Sequence, residues 1–110
     1  MASPALKIIR IKGGVVKRIT KEVAYYEKEV EQEKRRLEKM KNEGKDEYAL
    51  KKQEEVIRES ARMIPHCRNE LRAAYNELKT ILASEVDLCE TEEYQKSNSI
   101  LGEAGVVLCL

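Results

Sequence analysis

The feature that most constrains this chain is a set of apolar residues spaced alternately three and four apart. Ile9, Val16, Ile19, Val23, Tyr26, Val30, Leu37 and Met40 fall on one such frame, which only Lys12 and Glu33 interrupt with polar side chains. That period puts the frame on one face of an α-helix and makes the helix a partner for another like it. A second frame follows through Leu50, Gln53, Ile57, Ser60, Ile64, Cys67, Leu71, Ala74, Leu78 and Ile81. Two long helices with facing apolar seams are the minimum that this pattern dictates, and the fold class is all-α.

Local signals set the ends. Ser3 reads as an N-cap with Pro4 at the first helical position, and Gly44 as a stop, so helix one is predicted over about 4–43. Gly13-Gly14 is its weak point, costing about 1 kcal/mol per residue relative to alanine, and the helix is expected to fray or start late there. Asp46 reads as the cap of a second helix over about 47–82. Its apolar phase continues unbroken past Pro65, which favours one kinked helix over two separate ones. Ser84 with Asp87 three residues on resembles a capping box, giving a third helix over about 85–101. Gly102 and Gly105 end that helix, and the tail 102–110 reads as frayed.

A turn at Gly44 makes the first two helices antiparallel, pairing residues whose numbers total about 89, so that Val23 falls near Cys67 and Ile19 near Leu71. The third helix would fold back to the level of Pro65 and cover half of the pair. The half it would cover is aliphatic on more than one face (Ile8, Ile9, Ile11, Val15, Val16), whereas 27–62 is heavily charged outside the seam. Glu31 with Arg35, Lys34 with Glu38 and Glu54 with Arg58 are spaced for ion pairs along a solvated helix. The expectation is one domain over 1–110, an elongated antiparallel three-helix bundle with left-handed coiled-coil-like packing, near 60 Å long at about 1.5 Å per residue.

Composition narrows function. Charged residues make up 37% of the 110, with no Trp or Phe, and 21 Lys plus Arg stand against 20 Asp plus Glu for a net charge of +1. Interleaved charge of both signs argues against nucleic acid, whose binding rests on a basic excess, and for a protein partner. Met1-Ala2-Ser3-Pro4 opens no apolar signal segment, Lys7 and Arg10 break the nearest aliphatic residues, and no run approaches the roughly 20 apolar residues of a membrane span. Cys67, Cys89 and Cys109 are scattered without a CxxC and are expected to be reduced thiols in the cytosol. With Cys109 second from the end of the sequence, the last residues do not form a prenylation box.

No constellation for catalysis or metal binding emerges. A thin helical rod offers no pocket, and His66 and Cys67, as helix neighbours, point about 100° apart. Zinc would need Cys89 brought in from afar, and Gly13-Gly14 lacks the spacing of a phosphate loop. No enzyme, metal or cofactor is expected. Tyr26 sits on the seam and reads as core; Tyr25 and Tyr48 lie off it, as exposed anchors for a partner or as ordinary flank packing.

The order of residues adds a resemblance. Ile11-Lys12-Gly13-Gly14-Val15-Val16-Lys17-Arg18, then Tyr26-Glu27-Lys28-Glu29, is similar to the opening helix of the tubulin-binding cofactor A family. So are Leu50-Lys51-Lys52-Gln53-Glu54, Glu59-Ser60, Met63-Ile64-Pro65 with Cys67 two further on, Ala73-Ala74-Tyr75 with Leu78, and Glu92-Glu93-Tyr94. The resemblance spans residues 6–101, and the Met-Ile-Pro-x-Cys run inside a helix is its specific part. It implies a three-helix bundle that acts as a cytoplasmic, microtubule-cytoskeleton-associated tubulin-folding cofactor. Such a protein binds β-tubulin after release from the chaperonin and holds it, without nucleotide or metal, until αβ-dimer assembly. Two departures stand out: His66 replaces a residue that is often acidic in relatives, and the tail after Leu101 is apolar where charged endings are common.

The family supplies no sharp motif for the contacts. The outward faces carry Lys21, Lys28 and Arg35 on helix one and Lys51, Lys52, Glu55, Arg58, Glu59 and Arg62 on helix two. The helix-two set is the candidate β-tubulin surface; the other reading of the same residues is that they only keep the helix soluble. The competing function is a coiled-coil scaffold or oligomerisation module. The Gly44 break and the Pro65 kink favour a monomeric intramolecular bundle over it.

Overall fold

In the computed structural model, which describes residues 3–110, each helix boundary has a local cause. Helix α1 runs over Pro4–Asn42. It closes at Gly44, which takes the left-handed conformation with φ of +72°. Lys45 N–H donates to Met40 O and Gly44 N–H to Lys41 O, both at 3.1 Å, the paired bonds of a Schellman end. Lys39 and Lys41 in the last turn suit the negative end of the helix dipole. Helix α2, Glu47–Ser84, begins where the Asp46 carboxylate accepts from Ala49 N–H at 2.8 Å. It continues through Pro65 as one helix. Met1 and Ala2, the first residues of the segment read as lacking a signal sequence, lie outside the described residues.

The third helix corrects the reading of the sequence. Ser84 caps nothing; its hydroxyl donates back to Ile81 O at 3.0 Å, and a 3-10 turn occupies Val86–Leu88. Helix α3 is Glu92–Val107, and its cap is Thr91, whose Oγ1 accepts from Tyr94 N–H. Nor is the tail frayed. Ala104 is 0% and Leu108 6% exposed, so the helix must continue past Gly102 to bring both into the core. Cys109, at φ of +63°, then ends α3 as Gly44 ends α1, with Leu110 N–H donating to Gly105 O at 2.8 Å.

The chain sorts into two compact units. One comprises the chain up to Lys21 together with Arg68–Leu110, and here three helices pack around Ile9, Val16, Ile19, Leu71, Leu78, Leu82, Ala104 and Leu108. Lys12 meets Glu77 at 2.8 Å, on the antiparallel register expected. Helix α3 is pinned to both partners through main-chain carbonyls. Ser97 Oγ donates to Ile9 O at 3.1 Å, Tyr94 Oη to Leu82 O at 2.9 Å, and Arg68 Nη2 to Val107 O at 2.8 Å. The last of these ties the end of α3 to Arg68, where the unit's stretch of α2 begins.

The other unit, Glu22–Cys67, is a two-helix hairpin around the Gly44 turn. Its buried side chains are Val23, Val30 and Cys67, with Gln53 among them at 7% exposure. Gln53 Nε2 donates to the carboxylate and to the main-chain carbonyl of Glu33, at 2.6 and 2.9 Å, so one polar interruption of each frame satisfies the other.

The glycine pair does not delay α1, which is helical from Pro4 onward. Gly13 marks a close approach of α1 and α3: a Cβ there would collide with Ser97 Oγ and lie 3.3 Å from Ser97 Cβ, while one at Gly14 would meet nothing. The two neighbours should therefore respond oppositely. Gly14→Ala is expected to stabilise by up to about 1 kcal/mol through helix propensity. Gly13→Ala is expected to destabilise by about 1–3 kcal/mol, because Ser97 must give up its buried bond. Urea unfolding of the two variants measures both; equal and favourable shifts would refute the close approach.

Candidate protein-binding surface

The residues nominated from the sequence fall on one outward face of the first half of α2. The steps of three and four that bring Gln53, Ile57, Ser60 and Ile64 to the seam carry Lys51, Glu55, Arg58 and Arg62 to the opposite side. All six nominated side chains are exposed. Glu55, Arg58, Glu59 and Arg62 line a shallow concavity of about 420 Å³. Lys51 and Lys52 lie one turn towards the N-terminus. Lys51 bridges to Glu47 at 3.3 Å; Lys52 lies 3.9 Å from Glu55 and 5.6 Å from the centre of the Tyr48 ring.

These contacts are weak restraints. Exposed ion pairs contribute about 0–1 kcal/mol and a solvated cation–π contact about as much. The lysine heads are therefore lightly held and free to exchange partners. Among the described residues none forms an ion pair with Arg58, Glu59 or Arg62. Of the helix pairs expected from spacing, Glu31 with Arg35 forms at 3.8 Å. Glu54 with Arg58 and Lys34 with Glu38 do not form. Long side chains in water gain too little from one pairing to be fixed by it. Lys21, Lys28 and Arg35 on α1 are exposed as well.

The tyrosines divide by position. Tyr48 is 71% exposed beside the lysines, and Tyr25 is 59% exposed. Tyr26, on the seam, is half-buried with its ring 5.3 Å from that of Tyr25 in an edge contact. His66 is exposed whereas Cys67 is buried, so the two neighbours face different surroundings.

Sequence reasoning missed two grooves, both in the three-helix unit. One, of about 420 Å³, has Arg10, Gly14 and Lys17 along α1 and Lys96 and Ile100 along α3. Its sequence signal was the spacing of Arg10, Gly14 and Lys17 by four and three, hidden because the third helix was placed too early. The other, of about 350 Å³, runs over Tyr75, Leu101, Gly105, Val106 and Leu110. That groove could not be anticipated from a tail read as frayed. Among the described residues no helix is long and apolar enough to cross a membrane.

Comparison with known proteins places this architecture. The sequence pattern of the family described as tubulin binding cofactor A matches residues 4–101. Tubulin-specific chaperone A of Rattus norvegicus is 50% identical over 101 residues, covering 92% of this chain and 94% of the relative. Tubulin-folding cofactor A of Arabidopsis thaliana is 46% identical over 88 residues, covering 80% and 75%. Among solved structures, human tubulin chaperone cofactor a superposes with a TM-score of 0.79 at 45% identity, covering 90% of this chain and 96% of that one. Tubulin folding cofactor A from Arabidopsis thaliana superposes with a TM-score of 0.86 at 37% identity, covering 93% and 96%. With the family pattern matched over residues 4–101, and more than nine-tenths of both chains covered in the match to the Rattus norvegicus relative, the chain belongs to the tubulin binding cofactor A family.

Proposed function

We propose that this protein is a cytoplasmic tubulin chaperone that captures β-tubulin after its release from the chaperonin and holds it until αβ-dimer assembly. The observation that carries the reading is the match to proteins named tubulin-specific chaperone A over almost the full length of both chains. Nothing in the capture step requires covalent chemistry. A charged helical face offers what a transient carrier needs: complementary charge speeds encounter and selects partners, while solvated ion pairs leave the complex able to dissociate. We assign the capture surface to Lys51, Lys52, Glu55, Arg58, Glu59 and Arg62, with Tyr48 alongside as an aromatic contact.

The alternative is a coiled-coil scaffold that assembles with further copies. The Gly44 turn, closed by two main-chain bonds, supports the intramolecular reading, because it returns α2 against α1 of the same molecule. On the chaperone reading the isolated protein is a monomer.

The direct test mixes the purified protein with β-tubulin released from chaperonin and resolves the mixture on a native gel, where a binary complex is expected without added nucleotide. Absence of that complex would reject the capture role. For the surface, Lys51→Glu, Arg58→Glu and Arg62→Glu together should weaken capture at least 10-fold. Thermal unfolding of the same variant should stay within about 2 kcal/mol of the parent, since the one ion pair lost, Lys51 with Glu47, and the like-charge neighbours gained are all exposed. Capture at parental strength would discard the residue assignment. Light scattering on the eluting protein checks the monomer; a stable dimer would favour the scaffold.

A further inference from the structure

The same two helices build both units, yet they are closed to very different degrees. In the three-helix unit the frame residues Ile9, Val16, Leu71 and Leu78 are fully buried. In the hairpin Val23, Val30 and Cys67 are buried, but Leu37, Met40, Leu50, Ile57 and Ile64, nearer the turn, hold frame positions of the same kind and are only half-buried, and Val56 beside them is exposed. Helix α3 accounts for the difference: its Ala104 and Leu108 enter the core of the three-helix unit, and its pins at Ser97, Tyr94 and Arg68 all fall on main-chain atoms of that unit.

Between Val30 and Cys67, the stretch that contains the turn, the one buried side chain is polar. Gln53 has its amide committed to Glu33, whose carboxylate is thereby kept in a partly covered position. A polar pair on a seam contributes less to stability than apolar residues of similar size, and removing one partner leaves the other unsatisfied. Little buried apolar surface, solvated flanks and a polar centre are the marks of a segment that opens before the rest of a protein does.

We infer that the Glu22–Cys67 hairpin opens and recloses as a unit while the three-helix unit stays folded, with the Gln53–Glu33 pair as its latch. The pair also sets the register of reclosure. A one-step slip would strand the Gln53 amide and the Glu33 carboxylate without each other, which the aliphatic positions alone would tolerate. This inference stands whether or not the chain captures tubulin.

Native-state hydrogen exchange with mass spectrometry on the whole protein tests it. In the parent, amides within 26–40 and 50–64 should exchange together, on the order of 100-fold faster than those within 9–19 and 71–82. Gln53→Ala should speed the hairpin amides by a further factor of about 10 and leave the other set unchanged. Gln53→Leu combined with Glu33→Leu should slow them instead. Uniform protection across both sets in the parent would overturn the inference without any variant. Equal acceleration of both sets by Gln53→Ala, or faster hairpin exchange in the double leucine variant, would remove the latch.

Discussion

Satisfaction of main-chain carbonyls at helix ends is the constraint on which the three-helix unit depends. The last carbonyls of a helix have no partner within it and must find a donor elsewhere. Tyr94 reaches Leu82 O in the last turn of α2, and Arg68 reaches Val107 O at the end of α3. Each donor belongs to the other helix of the pair, so satisfying one helix end also fixes the position of its neighbour. Ser97 adds a third tie to Ile9 O, made possible because Gly13 leaves room for the hydroxyl. A short helix with a weak apolar stripe is thereby held in one place. Apolar packing alone would leave α3 free to slide, since its largest aliphatic residues are few.

That division of labour explains which parts of the fold were legible. The frames of α1 and α2 were readable because their period repeats across ten positions in each helix, so that Lys12, Glu33, Gln53 and Ser60 did not obscure it. The Gly44 turn and the Asp46 cap were readable because each is a local signal acting on its own neighbours. Helix α3 was misplaced because its ties are long-range. Nothing near Ser97 in sequence announces Ile9, and nothing near Val107 announces Arg68. Gly102 and Gly105 read locally as stops, yet Gly105 is buried, with a Cβ position 3.6 Å from the Tyr75 ring. Glycine can mark a helix end or a close packing face, and local context does not separate the two.

The candidate surface was legible to a different extent. Helical geometry alone carries Glu55, Arg58, Glu59 and Arg62 to one side of α2, and the structure adds that they border a common concavity. Spacing did not reveal which pairs would form. It favoured Glu54 with Arg58, whereas the lysines of this face engage Glu47, Glu55 and the Tyr48 ring. The reason is energetic. Several solvated arrangements lie within about 1 kcal/mol of one another, so spacing names the candidates and the surroundings of each side chain choose among them.

Stability and recognition then draw on different residues of the same helix. On α2, the residues that hold the chain together, Leu71, Leu78 and Leu82, belong to the three-helix unit, and those assigned to capture belong to the hairpin. Tight closure of a seam leaves no apolar surface for a partner, whereas a half-closed seam with charged flanks keeps both attraction and adaptability. Arg58 and Arg62, one turn apart with Glu55 and Glu59 between and beside them, alternate in sign along the concavity. A uniformly charged partner would meet repulsion at every second position there. A partner whose own charges alternate with helical spacing would not. On the proposed reading, this alternation lets a chain with a net charge of only +1 discriminate among clients.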